Sequence, residues 1–236
     1  MTSGALVAGQ GARETGAHMT GKRSFLRIVL SLAVLLWSNG AFPQAKLASV
    51  TALVNALGNA DPGVRRAAAA ALGKLGPEAA AAVPELVKAL NDRDMGVRWV
   101  SAVTLAKIGP QAAASLIRAL GDVSVNVRRG AALALGEMEP KASDAVPGLI
   151  VALTDRDGKV RENAAEALGS YGPDAAAAVP ALVRAFSDED PYVNGKAAEA
   201  AGRIGKPAVP ALAEALKDTR ENVRWCAAGA YLAGSA

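Results

Sequence analysis

The chain is short of the side chains that most protein chemistry uses. It holds one histidine, His18, one cysteine, Cys226, and three each of Trp, Tyr and Phe in 236 residues. A single cysteine excludes a disulfide framework within the chain. With His18 lying before residue 40, the rest of the chain offers no two-His zinc site, no His/Glu di-iron site and no Ser–His or Cys–His nucleophile. So few aromatics leave a core without large plugs. In their place stands alanine, 55 residues of it. Alanine is the best helix former, whereas β-branched and aromatic side chains suit strands. The composition points to helices brought close over small side chains and away from a β-sandwich or barrel.

The N-terminal forty residues differ from the rest. Lys22, Arg23 and Arg27 precede the uncharged run 28–37, IVLSLAVLLW, and small residues follow at Ser38 and Gly40. A cationic stretch, a short apolar stretch and small residues at the −3 and −1 positions read as a secretory signal cleaved before Ala41, with Ala45 a second candidate for −1. The apolar run is shorter than the ~20 residues of a bilayer span, so an uncleaved anchor fits less well and no span is expected in the mature chain. Met19 would give a signal of ordinary length, which makes it an alternative start. Lys22–Arg27 resembles a twin-arginine motif with Lys for the first Arg; general secretion fits better. The expected division is an N-terminal extension and signal over 1–40 and a repeat domain over 41–236, in a periplasmic or secreted protein.

Residues 1–40 also hold Arg13, Lys22, Arg23 and Arg27 against Glu14, leaving 22 basic and 21 acidic residues from Ala41 onward. The basic character of the whole chain is therefore mostly the signal's, and bulk charge gives no argument for nucleic acid.

From residue 46 the chain repeats itself. A valine recurs at Val64, Val97, Val127, Val160, Val193 and Val223, at spacings of 33, 30, 33, 33 and 30. An Ala-rich helical pattern, helix A, follows each valine; a second pattern, helix B, follows in turn, as in AVPELVKALND (82–92) and AVPALVRAFSD (178–188). Asp61, Asp94, Ser124, Asp157 and Asp190 sit where helix A needs an N-cap, and Pro62 and Pro191 where a missing N–H costs nothing. Gly76, Gly109, Gly172 and Gly205 sit where a left-handed C′ residue is wanted, with Pro77, Pro110 and Pro173 to stop the helix. Each pair is too small to bury its own apolar face, so neighbours must stack into a solenoid. Starting on a helix B and ending on a helix A, the chain should hold twelve helices. Positions 0, +4 and +8 from the valine form the buried face, and +2, +6 and +9 the outward one. Glycines at +9 (Gly73, Gly136, Gly169, Gly202) permit close backbone approach.

The pattern D-x-x-V-R-x-x-A-A-x-A-L-G-x-x-G followed by A-V-P-x-L-x-x-A-L-x-D resembles the HEAT repeats of the phycobilisome-lyase-like type over residues 46–236. The resemblance implies an all-α fold, a right-handed superhelix of stacked helix pairs. It also implies that each helix-A arginine bonds the aspartate of the turn before it: Asp92/Arg98, Asp122/Arg128, Asp155/Arg161 and Asp218/Arg224, with departures at Asp188/Asn194 and Asn59/Arg65. The relatives include scaffolds, adaptors, bilin lyase subunits and an iron-hydroxylase lineage whose His-Glu metal ligands have no counterpart here.

No metal or cofactor is expected, and Glu162 and Glu166 read as a solvated face rather than an acid/base pair. Function then belongs to the surfaces. On helix B, a column of small residues with Glu85 among them (Ala52, Glu85, Ser115, Gly148, Ala181, Ala211) and a neighbouring column with Lys88, Arg118 and Arg184 suggest a concave trough. It would take a partner helix or extended segment with acidic groups. On helix A, the outward Trp99, with Arg66 and Arg129 reaching over it from either side and Val103 and Leu133 beside it, makes a second, convex patch, opposite an acidic half at Glu166 and Glu199. The expected function is a non-enzymatic protein-binding scaffold outside the cytoplasm. The alternatives are an accessory of a bilin lyase or oxidoreductase system, which the resemblance implies, and a plain structural spacer.

Overall fold

The computed structural model describes the backbone of residues 43–234 and the side chains of residues 49–234. His18 and the expected export signal with its cleavage before Ala41 lie outside the described residues; Ala45 falls in the first described helix. The stack is the compact unit Val50–Ala236. Among the described residues there are twelve α-helices and no strand. The A helices are α2 (Pro62–Leu75), α4 (Met95–Ile108), α6 (Val125–Glu137), α8 (Gly158–Ser170), α10 (Pro191–Ile204) and α12 (Glu221–Gly234). The B helices are α1 (Pro43–Ala56), α3 (Val83–Ala89), α5 (Pro110–Ala119), α7 (Val146–Ala152), α9 (Val179–Ala185) and α11 (Val209–Ala215). The alanine runs entering α3 and α9 wind as 3-10 turns, Gly76–Ala82 and Gly172–Ala178.

The caps follow the sequence, with one exception. Asp61, Asp94, Asp157 and Asp190 accept backbone N–H bonds from Gly63, Val97, Val160 and Tyr192. Ser124 occupies the cap position of α6 without a capping bond. Its Oγ donates instead to Asn91 Oδ1 at 2.7 Å, on the turn before. The four glycines that end A helices all have positive φ, between 54° and 79°. At three of them the conformation is not the left-handed helical one expected: ψ is −131° at Gly76, −149° at Gly109 and −137° at Gly205. That region lies close to the extended one that only glycine enters comfortably. The prolines behind them open the next element, with Pro110 in the first turn of α5.

The helix-A core is built as the periodicity requires. Val97, Val160 and Val193 are fully buried, as are Leu72, Leu105, Leu135 and Leu168. Position +9 is not outward: it is where one A helix meets the next. A β-carbon at Gly136 would stand 3.0 Å from Cα of Ala167, and one at Gly169 3.0 Å from Cα of Ala200. Backbones this close explain why the core can be filled by alanine.

The arginine–aspartate pairs run in the opposite direction to the expected one. Arg65 reaches forward to Asp92 with Nε at 2.7 Å and Nη2 at 2.6 Å. Arg128 holds Asp155 in the same way, at 2.7 and 2.9 Å, and Arg161 holds Asp188, at 2.8 and 2.7 Å. The aspartate of the preceding turn offers each arginine only its backbone carbonyl: Asp92 O to Arg98, Asp122 O to Arg128, Asp155 O to Arg161 and Asp218 O to Arg224, all through Nη1. Its carboxylate is folded over its own turn, where Asp92, Asp122, Asp155 and Asp188 each accept the N–H two residues on. The aspartate facing Asn194 is therefore not orphaned, because Arg161 takes it from behind.

Two rungs of this ladder are missing, both where the repeat is 30 residues long. A 33-residue unit puts the next aspartate 27 residues after the arginine; a 30-residue unit puts it 24 after. Among the described residues no carboxylate pairs with Arg98, whose bonds are those of Nη1 to Asp92 O and Arg93 O. Neutral contacts tie that junction instead: Ser124 and Asn126 both donate to Asn91 Oδ1. At the second short unit, Asn194 stands where the arginine would be, Asp218 pairs with Arg220 of its own turn, and Asn222 Nδ2 donates to Phe186 O at 3.2 Å.

Candidate binding faces of the helix stack

On helix B the two neighbouring columns differ in exposure. The column of small residues is covered at two of its positions, Gly148 and Ala181, while Ala52 is exposed and Glu85, Ser115 and Ala211 are half-exposed. A β-carbon at Gly148 would stand 3.0 Å from Leu120 Cδ1 and 3.8 Å from Ile117 Cγ2, both from the preceding helix-B segment, and Ala181 is buried. Those side chains are small because a neighbouring segment packs on them. The cation column does face outward: Lys88, Arg118 and Arg184 are exposed, with Val151 71% exposed among them. Two of its cations are engaged locally. Lys88 pairs with the half-buried Glu85 at 2.7 Å, and Arg118 Nη2 donates to Ser115 Oγ at 3.1 Å.

On helix A, Trp99 is 60% exposed, with Val103 and Leu133 half-buried and Arg66 exposed. The sequence missed Met95, one helical turn before Trp99 and 73% exposed. Its i, i+4 spacing to Trp99 was the available signal. Arg129 does not reach over the indole. It forks onto Asp157, the cap of α8, at 2.8 and 2.5 Å, a bidentate ion pair that is the stronger use of a guanidinium. Arg66 lies over the start of α4, where a β-carbon at Gly96 would meet its Nη1 at 3.2 Å. Among the described residues the cation stacked on a ring is Lys141, 5.8 Å from the centroid of Tyr171.

The expected acidic half is largely neutralised. Glu162 pairs with Lys159, Lys196 bridges Glu166 and Glu199, and Glu199 also takes Arg203. The Lys196 ammonium is held above its usual range, chiefly by Glu166. A shallow hollow between α10 and α12 has glycine and alanine walls, with Glu199 and Arg203 at its edge, and contains none of the expected site residues.

The ladder sets the electrostatics of the turns. The Arg65 fork holds the Asp92 carboxyl below its usual range against the opposing effect of burial. For Asp155 and Asp188 burial is the largest influence and acts upward, but the forks of Arg128 and Arg161 with the turn N–H bonds bring both carboxyls down. Burial raises the Cys226 thiol, whose Sγ lies 3.9 Å from Asn194 O. Among the described residues no three His, Cys, Asp or Glu side chains cluster as metal ligands, and no helix is long and apolar enough to cross a membrane.

Solved structures share this architecture. The complex of CpcE and CpcF of phycocyanin lyase from Nostoc sp. PCC7120 is 28% identical, with 75% of this chain and 74% of that chain covered and a TM-score of 0.50. One engineered protein is 23% identical over 78% of this chain and 97% of its own, with a TM-score of 0.50. A second is 26% identical over 78% and 95%, with a TM-score of 0.47. No curated protein matches the sequence. The family model described as HEAT repeats matches three times in overlapping stretches, over residues 50–124, 113–186 and 179–231. With the stacked helix pairs of the fold and that match running through the stack, the chain belongs to the HEAT-repeat family.

Proposed function

We propose that the chain is a non-enzymatic protein-binding scaffold that works outside the cytoplasm. A HEAT stack is a fold suited to protein interaction, since its repeats present long side-chain columns. One observation carries the reading here: Met95 and Trp99 stand 73% and 60% exposed, one turn apart on α4, while Val97, Leu105 and Ile108 on the same helix are fully buried. Exposed large apolar groups at helical spacing mark a contact surface, and tryptophan is a frequent anchor of such surfaces. The helix-B cations Lys88, Arg118 and Arg184 are a second surface for the same function. Cross-linking in periplasmic extract is the test. The parent chain should capture a protein that a Met95→Ser/Trp99→Ala variant loses; an identical set of captured proteins, or none, would overturn the reading.

Export rests on residues 22–41, and N-terminal sequencing of the mature protein should find a start near Ala41. An intact Met1 or Met19 on soluble protein would refute it. A second reading, an accessory of a bilin lyase or oxidoreductase system, is favoured by the likeness to the CpcE–CpcF complex. A visible absorption band that copurifies with the chain would support it.

A further inference from the structure

The arginine ladder supplies its own internal comparison. Arg65, Arg128 and Arg161 occupy the same helix position, and each uses Nη1 on backbone carbonyls of the turn before and Nε with Nη2 on a carboxylate. Arg98 keeps the first half of this pattern, with Nη1 on Asp92 O at 2.9 Å and Arg93 O at 3.2 Å. The second half is open: among the described residues nothing bonds its Nε or Nη2. The turn that would supply the carboxylate comes three residues early, and Ser124 ties it to Asn91. The guanidinium is fixed in place by its two carbonyl bonds and presents an unused fork. Bidentate capture of a carboxylate is what such a fork does best.

The residues around it describe the rest of a ligand. Met95 lies three positions before Arg98 and Trp99 directly after it; both are exposed, and Met95, Arg98 and Trp99 share the first turns of α4. The exposed Arg66 and Arg93 add positive charge nearby, while the local carboxylates are spent, Asp92 on Arg65 and Asp94 on the cap of α4. The three closed forks are followed by Arg66, Arg129 and Glu162. The triplet Val-Arg-Trp of 97–99 returns at 223–225, where Arg224 again bonds carbonyls through Nη1 and Trp225 is 80% exposed.

We propose that Arg98, Met95 and Trp99 form a receptor for an acidic–apolar segment of a partner protein. An Asp or Glu side chain enters the Nε–Nη2 fork of Arg98, and the residue beside it lies on the Met95–Trp99 ridge. This rests on the protein-binding reading and names the chemistry of the partner. The test uses the full chain with its arginine Nε nitrogens labelled for NMR, the Arg98 signal being identified by its loss in Arg98→Lys. The probe is a short blocked peptide, Leu-Glu-Leu-Glu-Leu, with Leu-Gln-Leu-Gln-Leu as its neutral twin. The Glu peptide should move the Arg98 signal saturably and leave those of Arg65, Arg128 and Arg161 in place. Trp99→Ala should weaken that binding at least threefold while the Arg98 signal persists in the free chain. A still Arg98 signal, an equal response to the Gln peptide, or equal movement of the three closed forks would overturn the proposal. Capture of a protein from extract by an Arg98→Lys variant as well as by the parent would also overturn it, yet leave the scaffold reading standing; loss of all capture by the parent would remove the scaffold reading itself.

Discussion

Replacing Asp155 and Asp122 by asparagine, separately, isolates one rung of the ladder. Both carboxylates accept the N–H two residues on, from Asp157 at 2.9 Å and Ser124 at 2.8 Å. Asparagine can keep that bond, as Asn59 does naturally by accepting from Asp61 N at 2.9 Å. The substitution therefore leaves the turn intact and removes only the charge. At Asp155 the charge is held by Arg128 through two N–H bonds, with the side chains 13% and 6% exposed. Arg128 has almost no water to fall back on. Breaking one partner of a buried pair costs ~3–5 kcal/mol, and the retained amide oxygen recovers part of it, so Asp155→Asn should lower stability by about 2–4 kcal/mol. At Asp122 no ion pair is lost among the described residues, only a longer-range attraction to Arg128, and the change should stay within about 0.5 kcal/mol. Urea unfolding read as a midpoint shift at constant slope measures both. Equal losses in the two variants would refute the forward direction of the ladder and the break after Arg98.

Other outcomes follow from single sites. Ser101 Oγ is buried with no hydrogen-bond partner among the described residues, at a position where the other A helices have alanine, so Ser101→Ala should gain about 1 kcal/mol in the same assay. Gly136→Ala must push the Cα of Ala167 away from 3.0 Å and should cost ~1–3 kcal/mol, whereas Gly195→Ala meets nothing within 4 Å and should gain about 0.5–1 kcal/mol from helix propensity. Burial pushes the Tyr171 phenol up to about 12. Since an unfolded tyrosine ionises near 10, the neutral buried ring stabilises fully below about that pH, and the contribution drains away as pH rises toward the folded value. Phenolate absorbance of a Tyr171→Phe difference titration checks this, and ionisation of Tyr171 near 10 in the folded chain would contradict it. Trp99→Ala should cost less than ~1.5 kcal/mol, below the ~3–5 kcal/mol of a core aromatic, and a Trp225→Phe variant starting at Ala41, whose remaining indole is Trp99, should already emit like a solvated indole in the native state; a strongly blue-shifted native spectrum would contradict it.

What the sequence made legible was local. The valine period, the aspartate caps and the glycines at helix ends each depend on a few neighbouring residues, and they placed all twelve helices. The direction of the ladder was hidden because the period is itself ambiguous: in a 33-residue unit, an aspartate six residues before one helix-A arginine position is also 27 residues after the previous arginine. Only the turn geometry, which spends the carboxylate on the N–H two residues on, decides between them. The small-residue column was ambiguous for a related reason. Gly148 and Ala181 are small whether they face a partner or a neighbouring helix, and helical periodicity carries no information about what lies across the gap. Met95 was missed because its counterparts in other units, Pro62 and Gly158 among them, do not form an apolar column.

The broken ladder also gives the stack unequal nearest-neighbour coupling. Rungs join the units of α2 and α4, and those of α6, α8 and α10, while among the described residues the junctions α4/α6 and α10/α12 rely on packing and neutral hydrogen bonds. In a linear array of otherwise similar modules, an unfolding front that enters from an end advances until it meets a strongly coupled pair. Here it would pass through α12 and halt at α10, and one entering from the other end would take α2 and α4 together before pausing at α6. The chain should therefore breathe in blocks of two, three and one repeats, with Met95, Arg98 and Trp99 standing at the edge of the first block, where the coupling to its neighbour is weakest.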